Sequence, residues 1–195
     1  DALPIYESGI ALLVIDMQEG MARRTREGRE RANPGAEAAG RGLLALFRAH
    51  GLPVVHVFHH DADPDSPFRK GAPDGAPMAG FAPEGGEAVF WKSGSSAFAG
   101  TGLEAHLRER RIGRLVLIGA VAAFCVTSTC RQASDLGFSV LLPGDALIGF
   151  DIPAHDGGRI DAGTVLRVTL SLLGADFARL LRADQVGAAL DLSAG

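Results

Sequence analysis

The chain has 195 residues, of which 47% are hydrophobic and 22% are charged, and its formal net charge at pH 7 is −4. These values favour one globular domain over residues 1–195 and speak against a disordered chain, a nucleic-acid partner or an anionic membrane surface. No apolar run in the sequence approaches the roughly 20 residues of a membrane span. The two cysteines follow neither a disulfide-framework nor a zinc-site spacing, which favours a reducing, cytoplasmic location.

Short apolar runs alternate with longer amphipathic stretches along the chain. The apolar runs predict strands at residues 9–17, 52–58, 87–91, 115–119, 138–142 and 176–181, although the last of these fits a helix equally well. The amphipathic stretches predict helices at residues 35–50, 101–110, 124–136, 155–173 and 184–190.

Two local signals add detail to this alternation. Thr101 and Glu104 have the spacing of a capping box, which predicts that a helix begins at Thr101. Residues 59–86 are rich in Pro, Gly and Asp and are predicted to form a long ordered loop with a functional role. The whole pattern predicts an α/β fold with three αβα layers and a doubly wound, mostly parallel sheet of about six strands.

Three reactive side chains follow apolar runs in this pattern, namely Asp16, Lys92 and Cys125. In an open parallel sheet, ligands bind beyond the carboxyl ends of the strands. The three residues therefore form a candidate catalytic constellation. Cys125 also lies at the start of the helix predicted at residues 124–136, and a helix N-terminus would lower the pKa of its thiol.

Each of these residues also has a purely structural interpretation. Asp16 fits a cap on the turn after a strand, and Lys92 fits a solvated loop lysine. Cys125 fits a buried structural cysteine, and that is the role predicted for Cys130.

Four segments, taken in order, resemble the isochorismatase-like cysteine hydrolases, a family that includes nicotinamidases and N-carbamoylsarcosine amidohydrolase. The resemblance covers nearly the whole chain and implies the Rossmann-like fold of that family. It also implies hydrolysis of a C–N bond in a small amide, ureido or carbamoyl substrate. The matching segments are D-x-Q at residues 16–18, P-x-V-H at residues 53–56, the lysine segment at residues 92–103 and the nucleophile segment at residues 115–138.

The resemblance also implies a role for each matching residue. Cys125 would be the nucleophile, Asp16 the general base and Lys92 the third member of a catalytic triad. A cis peptide bond would join Ala120 and Val121, and the N–H groups of Val121 and Cys125 would form an oxyanion hole. The reaction would pass through a thioester on the cysteine.

Substrate contacts are predicted from position alone. Phe58, Trp91, Phe124 and Gln18 are expected to line the pocket, with Phe124 packing against a ring or methyl group of the substrate. Five arginines lie between residues 21 and 31, and one of them is a candidate partner for a substrate carboxylate. The alternative for this arginine segment is a solvated charged loop.

The resemblance implies no cofactor and no membrane or nucleic-acid partner, and the expected assembly is a homo-oligomer, either a dimer or a tetramer. Residues 56–65 partly resemble the metal-binding segment of nicotinamidases, so a metal ion remains an alternative to solvated loop charges. Two other functions remain open: a vinyl-ether hydrolase, against which Cys125 argues, and a catalytically silent binding module on the same fold.

Overall fold

The computed structural model describes residues 9–192, which form one central sheet flanked by helices. The strands are β1 (Gly9–Ile15), β2 (Arg31–Ala32), β3 (Val54–His59), β4 (Ala88–Lys92), β5 (Ile112–Ala120), β6 (Ser139–Pro143), β7 (Leu147–Phe150), β8 (Ile152–Pro153), β9 (Arg159–Ile160) and β10 (Arg179–Leu181). The α-helices are α1 (Glu19–Arg26), α2 (Ala36–Ala49), α3 (Leu103–Glu109), α4 (Thr127–Asp135), α5 (Ala162–Asp176) and α6 (Val186–Ala189).

Six parallel strands form the body of the sheet in the order β10-β6-β5-β1-β3-β4. From β1 the chain adds β3 and β4 on one side, and from β5 it adds β6 and β10 on the other. Strand order therefore reverses between β1 and β5, which is where open α/β sheets bind ligands. Short β7 pairs with β5 in parallel, and β2 pairs with β7 in the antiparallel sense.

Both faces of the sheet are covered, so its central strands are apolar along their whole length. In β1, Ala11, Leu13 and Ile15 belong to the core cluster on one face, beneath α3, α4 and α5. Alternate residues Leu12 and Val14 belong to the cluster on the other face, beneath α1, α2 and α6. This arrangement confirms the predicted three-layer αβα fold with a mostly parallel sheet. Among residues 9–192, no helix is long and apolar enough to cross a membrane.

Several predicted elements have different bounds in the structure. The predicted helix at residues 155–173 is wrong in its first part, because β8 and β9 form a hairpin and α5 begins only at Ala162. Asp161 caps α5 by accepting a hydrogen bond from the Thr164 N–H at 2.8 Å. The capping box at Thr101 is also wrong. The Thr101 hydroxyl instead donates to the Ala97 carbonyl at 2.6 Å, and α3 begins at Leu103.

Two elements beside the site were not predicted. The sequence predicts no helix at α1, and a solvated charged loop was the alternative for its arginines; in the structure the segment is helical with only Gly20 and Met21 buried. The predicted helix at residues 124–136 begins with a π-helical turn, Ala122–Val126, before α4. The long loop at residues 59–86 is ordered, as predicted, and buries Phe81 completely.

Candidate active site

The fold brings Asp16, Lys92 and Cys125 together at the carboxyl edge of the sheet. Asp16 directly follows β1, Lys92 ends β4, and Cys125 lies in the π-helical turn after β5. The Lys92 Nζ atom is 2.8 Å from Asp16 Oδ2 and 3.3 Å from Cys125 Sγ. Three side chains far apart in sequence therefore form one hydrogen-bonded cluster.

The Lys92 ammonium is the centre of this cluster. Besides its ion pair with Asp16, it donates hydrogen bonds to Cys125 Sγ and to the Gly94 carbonyl, the latter at 3.2 Å. The side chains of Lys92 and Asp16 are only 0% and 1% exposed. The interpretation of Lys92 as a solvated loop lysine is therefore wrong. A charge buried this deeply is retained only when it is paired.

Burial and the interaction between their charges set the pKa values of Asp16 and Cys125. Burial raises the pKa of the Asp16 carboxyl above its ordinary value, although Lys92 opposes this shift. Burial, followed by the negative charge of Asp16, raises the pKa of the Cys125 thiol to about 11 against the lowering effect of Lys92. The predicted lowering of the thiol pKa is therefore wrong. The proton stays on sulfur in the resting site, so attack on a carbonyl needs a base, and Asp16 is in position to be one.

The backbone before Cys125 has a specific conformation. The Ala120–Val121 peptide bond is cis, and the Val121 carbonyl accepts hydrogen bonds from the N–H groups of Phe124 at 2.9 Å and Val126 at 3.3 Å. The Thr127 hydroxyl donates to the Ala122 carbonyl at 2.7 Å. These bonds hold the turn that carries Cys125 at the end of β5.

The predicted substrate contacts have different outcomes. Phe58 and Trp91 are register partners on β3 and β4, and their rings pack together with centroids 5.3 Å apart. Because successive side chains of a strand point to opposite faces, Trp91 lies on the face of the sheet opposite Lys92. We therefore correct the prediction and assign Phe58 and Trp91 to packing. Phe124 is 52% exposed next to the nucleophile, and its contact with substrate stays a prediction.

Gln18 holds the loop at residues 59–86 instead of facing a substrate. Its Nε2 group donates to the His59 and Gly75 carbonyls, both at 3.0 Å, and its Oε1 atom accepts from the His59 N–H at 2.8 Å. The side chain is completely buried and its amide hydrogens are used. The predicted role of Gln18 in substrate binding is corrected to a structural one.

One wall beside the catalytic cluster was missed in the sequence because it comes from the loop. His59 is the register partner of Lys92, and its electrostatic effect lowers the pKa of Asp16. The His59 Nε2 atom is 2.8 Å from Asp61 Oδ1, and the ring of Phe68 meets the His59 ring edge-on at 6.2 Å. Only the run of histidines signalled this wall in the sequence, and the contribution of Phe68 had no local signal.

The remaining site predictions concern Cys130 and a metal ion. Cys130 is completely buried, and burial raises the pKa of its thiol to about 12, which confirms its structural role. Within the part of the chain that the structure describes, no group of three or more His, Cys, Asp or Glu side chains has the arrangement of a metal site.

Comparison with known proteins agrees with this geometry. Residues 10–159 match the family model of the isochorismatase domain. An isochorismatase-family protein of Bacillus subtilis is 31% identical over 176 residues, covering 90% of this chain and 93% of that protein. Maleamate amidohydrolase of Pseudomonas putida is 34% identical over 168 residues, covering 77% of this chain and 78% of that enzyme. A crystal structure of an isochorismatase-family protein from Chromobacterium violaceum has a TM-score of 0.90 and 36% identity, covering 98% of each chain. The chain thus belongs to the isochorismatase family.

Proposed function

We propose that this chain is a cysteine hydrolase that cleaves the C–N bond of a small amide, ureido or carbamoyl compound. The observation that carries the proposal is the buried contact of one lysine with a carboxylate and a thiol, at 2.8 Å and 3.3 Å respectively. A nucleophile and a base held by a third group are the requirement for covalent catalysis of acyl transfer. The similarity to maleamate amidohydrolase supports an amide as the substrate class.

The proposed reaction begins with transfer of the Cys125 proton to Asp16. The thiolate attacks the carbonyl carbon, and the N–H groups of Val121 and Cys125 stabilise the resulting oxyanion. Asp16 then donates its proton to the leaving nitrogen, so that ammonia or an amine departs and a thioester remains on Cys125. A water molecule gives a proton to Asp16 and attacks the thioester carbonyl, the C–S bond breaks to release the acid, and Asp16 returns the proton to the Cys125 sulfur. Lys92 keeps both reacting groups in place, and the chain's own groups supply every step.

Two other functions compete with this proposal. Hydrolysis of a vinyl ether does not use a thiol nucleophile, so the contact between Lys92 and Cys125 Sγ favours the amide reaction. A silent binding module would not need a base beside a buried thiol whose pKa is about 11. The arrangement of these groups thus favours a hydrolase, and activity measurements separate the three functions.

The direct test is release of ammonia from a panel of primary amides, ureido acids and carbamoyl compounds, with Cys125→Ser as the key variant. We expect turnover of at least one compound and a loss of at least about 1,000-fold in kcat for the variant. Denaturing mass spectrometry of the quenched wild-type enzyme should show the acyl group on Cys125. Cys130→Ala is the matched control and should keep its turnover, because Cys130 is buried away from the reacting groups.

Two results would contradict the proposal. The first is release of ammonia by Cys125→Ser as fast as by the wild type, which would show that Cys125 is not the nucleophile. Alternatively, no compound of the panel would be hydrolysed while the protein remains folded, and the silent binding module would then be favoured.

A further inference from the structure

Helix α1 and the turn after it carry five arginines, and four of them are tied to carboxylates of the chain itself. These ion pairs are Arg23 with Asp74 and Glu27, Arg26 with Glu19, Arg29 with Asp151, and Arg31 with Glu37. Arg24 differs from the others, because within residues 9–192 it makes no ion pair. The segment therefore differs from the alternative of a solvated charged loop, because residues 19–26 are helical, and one arginine is distinguished from the other four.

Arg24 is half-buried and held in a defined place. Its guanidinium carbon lies 5.5 Å from the centroid of the Phe68 ring, and its Nη1 atom lies 3.7 Å from Met21 Sδ. Helix α1 is in close contact with the same ring, since a Cβ atom on Gly20 would lie 2.3 Å from it. The packing of α1 against Phe68 therefore fixes the position of the Arg24 side chain.

The other side of the Phe68 ring leads to the catalytic cluster. The ring contacts His59 edge-on at 6.2 Å, and His59 is the register partner of Lys92. Arg24, Phe68 and His59 thus form one continuous wall that ends at the reacting groups. The wall therefore connects the Arg24 guanidinium to the strand position beside Lys92, which contacts Cys125 Sγ at 3.3 Å.

The charges around Arg24 agree with this placement. Burial, together with the neighbouring charges of Arg29 and Arg23, lowers the pKa of the Arg24 guanidinium, while Asp74 acts to raise it. Asp74 is already paired with Arg23, at 2.5 Å. A half-buried cation without its own anion gains most from an anion supplied by a ligand.

We propose that Arg24 binds a carboxylate on the substrate, so that the preferred substrates are small amides or carbamoyl compounds that also carry an acid group. The planar guanidinium matches a carboxylate with two parallel hydrogen bonds, and the Phe68 ring supports its face. The predicted preference for acid-bearing substrates rests on the proposed function, whereas the binding of a carboxylate by Arg24 does not. Binding of a carboxylate beside Cys125 is measurable without any turnover.

The first test measures how well simple carboxylates protect Cys125 from alkylation by iodoacetamide. Acetate and the straight-chain dicarboxylates from malonate to adipate are added in turn, and labelling of Cys125 is followed by mass spectrometry. We expect at least one of them to protect the wild type, and Arg24→Met to weaken that protection by about tenfold or more. Arg24→Lys should restore part of it, since it keeps the charge but not the paired donors.

Arg26→Met is the matched control, because Arg26 lies on the same helix and is paired with Glu19. Its protection constant should equal that of the wild type. Thermal unfolding of each variant verifies that α1 is still folded. The inference is overturned if no carboxylate of the series protects the wild type, or if Arg24→Met is protected as well as the wild type.

The second test uses turnover and separates the inference from the proposed function. For the wild type, we expect kcat/KM for succinamate to exceed kcat/KM for the neutral diamide succinamide. Arg24→Met should remove this difference by lowering kcat/KM for succinamate alone. Equal loss for both amides in Arg24→Met would overturn the inference while leaving the amidase function intact. Retention of turnover in Cys125→Ser would instead contradict the proposed function.

Discussion

At the residue scale, the chemistry of the site depends on Lys92, which lies between the acidic side chains of Asp16 and Cys125. Burial raises the pKa of both Asp16 and Cys125, so the two groups compete for a single proton beside the Lys92 ammonium. A carboxylate with a raised pKa is a stronger base than a solvated one, which favours proton transfer from sulfur when a carbonyl arrives. The thiol therefore remains protonated until a substrate occupies the site.

Asp16→Asn separates the acidity of the thiol from catalysis. The variant keeps the burial of Cys125 but removes the neighbouring negative charge, so the thiol pKa should fall below its wild-type value of about 11. Alkylation by iodoacetamide should then become faster at neutral pH. Turnover should nevertheless fall by about 100- to 10,000-fold, because the general base is lost.

The measurement is the pH dependence of the alkylation rate at Cys125, set beside kcat for the best amide substrate. Asp74→Asn is the control, since that carboxylate is paired with Arg23 and should leave both quantities near their wild-type values. A thiol pKa that is unchanged or higher in Asp16→Asn would show that Asp16 carries no charge beside the sulfur. The proposed base would then be wrong.

The reacting residues could be predicted from the sequence, but their electrostatics could not. Asp16, Lys92 and Cys125 stood out because each ends or follows an apolar run, and parallel strands bring such ends together. The raised pKa values of Asp16 and Cys125 come first from burial, and no periodic pattern in the sequence encodes how deeply these side chains are buried. Gln18 shows the same limit, because its hydrogen bonds to His59 and Gly75 join positions 41 and 57 residues away.

At the scale of elements, the contact between β1 and β5 sets the spacing of the site. Gly119 has a φ of 124° and is the register partner of Ile15. A Cβ atom on Gly119 would lie 1.9 Å from the Ile15 carbonyl oxygen, a distance that no side chain can occupy. This glycine therefore allows the two strands that carry Asp16 and Cys125 to approach each other closely.

Gly119→Ala should lower the free energy of unfolding by about 3 kcal/mol or more, since both the backbone conformation and the strand contact are incompatible with a Cβ atom. Gly149→Ala on β7 is the control, because a Cβ atom there has its nearest contact at an ordinary 3.6 Å. It should change stability by less than about 1 kcal/mol. Urea unfolding followed by circular dichroism gives both values. Similar free energies of unfolding for the two variants would show that β1 and β5 can move apart to accept a Cβ atom, and the close packing of these strands would then not be required.

The elements that could be predicted are those whose own pattern decides their structure. The strands β1, β3, β4, β5 and β6 and helix α2 have apolar or amphipathic runs that predict them. The run at residues 176–181 fits a helix and a strand equally, and in the structure α5 ends at Asp176 while the three-residue β10 begins at Arg179. Helix α1 has only two buried residues and is stabilised by its contact with Phe68, which no local pattern encodes. The hairpin β8–β9 did have a signal, since Gly157-Gly158 favours a turn and Asp161 is a good helix cap.

At the scale of the whole molecule, the loop over the site is fixed at both of its ends. Gln18 holds the near end beside His59, and Glu87 holds the far end, where β4 begins. Glu87 accepts hydrogen bonds from Arg48 on α2, at 2.7 Å and 3.0 Å, and from buried His56 on β3, at 2.8 Å. One carboxylate thus joins a helix, a strand and the end of the loop in a network away from the reacting groups.

Glu87 should make stability depend on pH in the acid range. Burial alone would raise the pKa of its carboxyl, but hydrogen bonds from Arg48, the Glu84 N–H and His56 lower it from 4.5 to about 2. A lowered pKa means that the stabilisation is fully present above pH 4.5 and is lost as the pH falls towards 2. At pH 7 the shift corresponds to at most about 3 kcal/mol.

Glu87→Gln should therefore be less stable than the wild type at pH 7 by up to about 3 kcal/mol, and the difference should shrink steadily below pH 4.5. Urea unfolding at several pH values between 7 and 3 measures it. Glu109→Gln, at the exposed end of α3, is the control and should show almost no difference at any pH. A constant difference between wild type and Glu87→Gln across this range would mean that the lost stability comes from packing. The charge of Glu87 would then not be what holds the far end of the loop.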